Sequence, residues 1–326
     1  MTSSPDPSKM RGALFALLAF ALFSTHDVVI KFLGGSISSP QIIFFSVLFS
    51  FPLIIFMLIR DADGGSLRPV HPWWTAGRTA CSAISGLATF YAFSVLPLTQ
   101  VYPILLSMPL LITLMAIPIL GERVGLRRGA AIVVGLAGVL VVLQPGAAEI
   151  SEGHIAALVG AVGSSLNSII MRKIGRDERT VVLQLYPLIV NLLVMAAFLP
   201  FFYVPMELVN LGATAVVAFL ALTAVGCLVI AYREAPAVIV APMQYSQIIW
   251  ASLFGALFFD ETLDRMTLIG TAIIMASGIY IVLREERRGG GSTRPVQRSR
   301  TRGGTATTLR VADYLGLKHR KDGRKE

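Results

Sequence analysis

Residues 96–143 and residues 235–282 are one pattern written twice, 139 positions apart. Each copy is an apolar run, an acidic turn and a second apolar run, the turns being Gly121-Glu122-Arg123 and Asp260-Glu261-Thr262. The offset carries Ala92 to Ala231, Pro97 to Pro236, Val101 to Val240, Pro103 to Pro242, Ser107 to Ser246, Glu122 to Glu261 and Ala137 to Ala276 without a gap. A chain built this way is confined to folds in which both copies adopt the same local structure and fit against each other.

The runs belong in lipid. The 326 residues are 55% hydrophobic and 14% charged, whereas a soluble domain carries about 25% charged residues. About 20 mostly apolar residues cross a bilayer, and ten such stretches are predicted: 12–32, 41–59, 73–95, 98–120, 127–144, 153–173, 181–202, 211–232, 236–258 and 266–283. The expected fold class is therefore an all-α integral membrane protein with ten transmembrane helices. Five spans per copy is an odd number, so the second copy inserts upside down, giving two inverted five-helix repeats. The expected organisation is a cytoplasmic N-terminus (1–11), a first five-helix repeat (12–145), a second (150–284) and a basic, largely disordered tail (285–326).

Charge sets the expected orientation. With the N-terminus inside, the inner segments up to the tail hold twelve Lys/Arg and the outer segments only Lys31 and Arg265. Positive charge stays in the cytoplasm, so both termini of a multi-pass membrane protein are expected there. The net charge of +9 is mostly the tail, since residues 284–326 hold 13 Lys/Arg against 5 Asp/Glu. Contact of that tail with anionic lipid fits the composition. Nucleic acid does not, because no recognition module accompanies the basic residues.

Ionisable groups inside lipid are costly and point to function. The first span carries His26, Asp27 and Lys31. Asp27 reads either as a proton, cation or substrate contact, or as a structural ion pair with Lys31 four residues on. Arg78, near the cytoplasmic start of the third span, reads as an anion contact or a snorkelling cation. Glu122 and Glu261 end the fourth and ninth spans. They are expected to bond the amides that open the next helix, or else to gate.

A polar set, Tyr91, Tyr102, Ser107, Asn167, Asn191, Tyr232, Gln244, Tyr245 and Gln247, lines a cavity in one reading and bonds helix to helix in the other. Pro103, Pro109, Pro118 and Pro242 interrupt the duplicated helices, and transporters place substrate at such interruptions near the midplane. Gly129, Gly135, Gly138, Gly270, Ser277 and Gly278 suit close packing, within the scaffold or in a homodimer. Cys81 and Cys227 read as packing residues. No catalytic, cofactor or metal-binding signature occurs in the sequence, so no enzyme activity, cofactor or metal site is expected.

The two Gly-Glu-Arg/Asp-Glu-Thr blocks, the ten spans and the stretch YREAPAVIVAPMQYSQIIWASLFGALFFDETLD resemble the drug/metabolite transporter superfamily, EamA type. So does Asp27-x-x-x-Lys31. The look is that of the branch containing S-adenosylmethionine and riboflavin uptake proteins. The likeness covers residues 12–285; it departs at Ser46, where the family pattern usually has Arg after Phe44-Phe45. It implies alternating access around a central cavity made by both repeats, and a small organic metabolite as solute. The alternative is a non-transporting structural or regulatory anchor acting through the basic tail.

Overall fold

The computed structural model describes residues 7–60, 67–122, 124–144, 150–175, 177–235, 237–262 and 264–287. Within them the chain is all helix: α1 (Pro7–Gly34), α2 (Ser39–Arg60), α3 (Pro72–Val95), α4 (Leu98–Leu106), α5 (Met108–Leu120), α6 (Leu126–Leu143), α7 (Glu152–Ile174), α8 (Thr180–Phe202), α9 (Leu208–Glu234), α10 (Ala237–Val240), α11 (Ser246–Phe259) and α12 (Arg265–Arg287). Among the described residues seven helical stretches are long and apolar enough to cross a membrane, α4 and α5 counting as one of them. The predicted tail falls outside the described residues from 288 onward.

The predicted spans 98–120 and 236–258 are each broken, and at matching places. α4 gives way to α5 at Ser107, two residues before Pro109. Proline has no N–H to donate to Leu105, and its ring crowds that carbonyl. The Ser107 N–H then turns to Ile104 O at 3.2 Å, as in a 3-10 turn. In the second copy, Pro242 sits in a 3-10 turn over Ala241–Tyr245, and α11 starts at Ser246. Gly121 closes α5 with φ 69°, a left-handed conformation that glycine adopts without strain.

The packing obeys the duplication. α1 lies on α9, α3 on α7, α2 on α8 and α6 on α12, and the broken span α4–α5 meets the corresponding broken span of the second copy, through α4 and α11. Exchanging the first copy for the second turns this set of pairs into itself. The pairing therefore has the pattern of a two-fold relation between the repeats. Small residues make the α6–α12 contact close: a Cβ on Gly270 would lie 2.6 Å from Gly138 O, and one on Gly135 would lie 3.0 Å from Ser277 Cβ. The glycines read as scaffold or dimer contacts are thus used within the chain. Gly129 is the exception, with open space where its Cβ would be.

Two polar devices fasten the ends. Asp264 precedes α12 and accepts the amides of Met266 (3.1 Å) and Thr267 (3.4 Å) and the side chain of Gln144 (2.5 Å). Desolvation works against its charged form and is the largest single influence, but the hydrogen bonds together outweigh it and hold the carboxyl below its usual value. Gln41, wholly buried, donates to Val204 O at 2.9 Å and accepts Val204 N–H at 3.0 Å. Apolar residues such as Leu193, Phe219, Ile249 and Leu257 cover the outside, which suits lipid as solvent.

Candidate functional site

Three buried residues meet where α1, α3 and α4 converge. Asp27 is 1% exposed. Its Oδ1 lies 2.7 Å from His26 Nδ1, and its Oδ2 accepts the Tyr102 hydroxyl at 2.5 Å. The His26 ring meets Phe90 of α3 edge-on, and Tyr102 packs on Phe93. Both carboxylate oxygens thus face donors in a surround of aromatic rings. A group so placed can hold its charge on the hydrogen bonds, or take up a proton and redistribute them.

Lys31 does not pair with Asp27 as one of the expectations had it. One turn further along α1, its Nζ reaches Glu261 Oε1 at 2.8 Å and Leu96 O at 2.6 Å, with the Phe259 ring 5.0 Å away. The long stem carries the ammonium toward the end of the helix, where an acid from the second repeat is waiting. Glu261 spends its other oxygen on the Leu98 N–H at 2.9 Å. It does bond a helix-opening amide, but that of α4 in the other repeat rather than of the following helix.

Glu122 behaves in the related way. It pairs with Arg172 of α7 at 2.5 Å, and Lys173 donates to Ile119 O at 3.0 Å. The broken rod α4–α5 separates the two acids: Glu261 sits at its start, Leu98, and Glu122 just past its end, Leu120. Its 23 residues span about 33 Å at roughly 1.5 Å each. The two carboxylates therefore fasten opposite ends of the bundle.

The remaining expected residues divide. Ser107 lies at the α4–α5 break, its hydroxyl returned to Ile104 O at 2.6 Å. Gln247 is buried on α11 with Nε2 unpartnered, and Asn167 is buried on α7 with Oδ1 unpartnered. Gln244 is half-buried in the 3-10 turn. Tyr245 is buried with its hydroxyl against Gly278 and without a hydrogen bond. Arg78 is buried and donates to Leu183 O.

Tyr91 is not brought to the buried acid; it faces Glu152 at 3.3 Å, near the end of α3. Asn191 bonds back to Pro187 O at 2.7 Å within its own helix. Tyr232 is half-buried near the end of α9. His26, which shares the first span with Asp27, meets its carboxylate, while Arg172 and Gln41, not among the expected site residues, take partners far away in sequence. Among the described residues no group of three or more His, Cys, Asp or Glu is placed to hold a metal ion, and Cys81 and Cys227 are free thiols.

Comparison with known proteins places this geometry. The model of the EamA-like transporter family matches residues 10–144 and again residues 151–284. A riboflavin transporter of Rhizobium johnstonii is 29% identical over 87% of this chain and 95% of its own length. An S-adenosylmethionine uptake transporter of Rickettsia bellii is 22% identical, with 83% and 93% covered. The pseudopaline exporter CntI of Pseudomonas aeruginosa is 26% identical, with 83% and 95% covered. One crystal structure, 19% identical, superposes with a TM-score of 0.56 over 86% of this chain and 99% of that one, a likeness of fold. Matched in both halves and resembling named transporters along most of its length, the chain is a multi-pass membrane protein that belongs to the EamA-like transporter family.

Proposed function

We propose that the protein is a secondary transporter that moves a small organic metabolite across the bacterial inner membrane by alternating access. In this reading ten helices cross the bilayer as two inverted five-helix repeats, residues 12–145 and 150–284, with both termini in the cytoplasm. Lys31, Glu261 and Leu98 lie on the outer side; Glu122 and Arg172 lie on the inner side.

The observation that carries the proposal is the pair of matched acids. Glu261, in the second repeat, grips a lysine of the first at 2.8 Å; Glu122, in the first, grips an arginine of the second at 2.5 Å. Each tie joins the two repeats at one end only. Opening one end breaks one tie and leaves the other, which is what alternating access requires.

Asp27, Tyr102, Ser107, Asn167, Gln244, Tyr245 and Gln247 are the proposed solute-facing set, with Asp27 as the protonation or cation-contact group. Tyr91 lies apart, near the outer end of α3. Riboflavin-like, S-adenosylmethionine-like and amino-acid-like solutes are the candidates. The relatives named above include both uptake proteins and an exporter, so direction is not inherited from them. The basic tail serves as a cytoplasmic contact to anionic lipid.

The test is reconstitution of the full chain in liposomes and uptake of a panel drawn from those solute classes, with and without a pH gradient. Saturable movement of one class supports the proposal. If no solute moves, with or without residues 289–326, the protein is instead an anchor acting through its tail.

A further inference from the structure

Arg78 lies in the second turn of α3 and is 3% exposed. A guanidinium stays charged in a protein and presents five N–H donors in one plane. Here Nη1 donates to the Leu183 carbonyl of α8, Nη2 faces the Met171 sulfur of α7 at 3.7 Å, and Nε has no partner. No carboxylate pairs with Arg78 among the described residues. Among the described residues, the acids at this end are engaged elsewhere: Glu178 accepts the His71 N–H at 2.6 Å, Asp177 meets the His71 ring at 3.2 Å, and Glu122 holds Arg172 at 2.5 Å. A buried cation with one carbonyl and a thioether for company is poorly compensated.

The surroundings are polar and equally unsatisfied. Thr75 and Thr79 on α3, and Ser164, Asn167 and Ser168 on α7, each have a buried oxygen without a hydrogen bond. Some buried hydroxyls return to their own helix, as Thr113 does to Pro109 O and Ser165 to Ala161 O, while Ser24, Thr89 and Ser246 are unsatisfied singly; at Arg78 five such oxygens lie on the two helices that flank it. Asn167 stands one turn from Met171, on the side of α7 where Gly163 packs against Ser85 of α3. At the end of α7 Arg172 is paired with Glu122, and Lys173, 4.1 Å over the Trp74 ring, adds positive charge, which draws anions inward.

We infer that Arg78 anchors an oxyanion subsite between α3, α7 and α8, which takes the carboxylate or phosphate of the transported solute. Two oxygens of either group match the edge formed by the unpartnered Nε and by Nη2, which now has only the Met171 sulfur, and the neighbouring hydroxyls donate to the rest. The subsite deepens the transport reading and rests on it for the route by which the anion arrives. His26 lies beside Phe90 of α3, twelve residues beyond Arg78, or about 18 Å along the helix. The anion therefore binds well away from Asp27.

The test uses three ligands sharing one ring: benzoate, phenyl phosphate and benzamide. Each is titrated calorimetrically into the purified full-length protein in detergent. At least one anion is expected to bind saturably, with benzamide about tenfold weaker or more; which anion binds separates a carboxylate from a phosphate. Arg78→Met should lose about tenfold or more in affinity for that anion. Arg78→Lys, which keeps the charge but not the fork, should lose several-fold. Equal binding of benzamide, no anion binding, or unchanged affinity in Arg78→Met overturns the subsite. Where Arg78→Met fails to fold, the lysine variant decides, and affinity equal to wild type overturns it. Binding in detergent does not require transport. A protein that binds the anion but moves no solute keeps the subsite and sinks the transport reading; solute movement without anion binding does the reverse.

Discussion

Replacing Glu261 by glutamine should free one end of the bundle and leave the other closed. The Lys31–Glu261 pair is 2.8 Å long, with side chains 13% and 8% exposed. Two unit charges at that distance attract by about 6 kcal/mol at an effective dielectric of about 20. Desolvation cancels much of this, and removing one member of a buried pair typically costs about 3–5 kcal/mol. Glutamine still offers an oxygen to the Leu98 N–H, and Lys31 keeps the Leu96 carbonyl and the Phe259 ring. The loss should therefore be smaller, about 1–3 kcal/mol. Every 1.4 kcal/mol is roughly a factor of ten in an equilibrium, so the ratio of open to closed outer ends should rise by about five- to a hundredfold. Spin labels at Ser36 and Thr262, both exposed at that end, in a Cys81→Ser, Cys227→Ser background, report the separation by double electron–electron resonance in nanodiscs. Glu261→Gln should populate a longer distance that wild type lacks, and Glu122→Gln should not. An unchanged distribution in Glu261→Gln, or the same gain in Glu122→Gln, would refute the reasoning.

Other expectations follow from single contacts. Asp27→Asn keeps a hydrogen-bonding group beside Tyr102 but cannot carry the charge, so uptake should lose its response to an imposed pH gradient; an unchanged response removes Asp27 from coupling. Gly270→Ala sets a methyl 2.6 Å from Gly138 O, backbone that cannot step aside. It should destabilise by about 1–3 kcal/mol, read as a lower midpoint of thermal unfolding. Gln41→Leu leaves the Val204 N–H and carbonyl without their side-chain partner, a loss of about 2–4 kcal/mol. Faster hydrogen exchange confined to the α8–α9 connection is the expected sign of it.

The all-helical membrane class was legible because lipid demands long apolar runs, and the breaks at Ser107 and Ser246 were foreshadowed by Pro109 and Pro242. The repeat was legible in its acidic turns. What periodicity could not supply was partners. Lys31 offers a local acid at Asp27, yet it pairs with Glu261, on the far side of the duplication, because its stem reaches the helix end and Asp27 is already bonded to Tyr102. Arg172 and Gln41 carry no local sign of Glu122 or Val204. Composition left the glycines open between scaffold and dimer; the closeness of α6 to α12 assigns most of them to the scaffold.

The pairs α2 with α8 and α6 with α12 join each element to its own counterpart in the other copy, and the α4–α11 contact joins the two broken spans that correspond. Contacts of this kind are isologous, the form in which two identical chains associate. Identical chains would have to carry every residue twice, so a polar group useful on one wall would be imposed on the other. A single polypeptide is released from that duty. Leu105, Leu106 and Met108 have stayed apolar where Gln244, Tyr245 and Gln247 are not, so the joint between the halves is also what lets their inner walls differ.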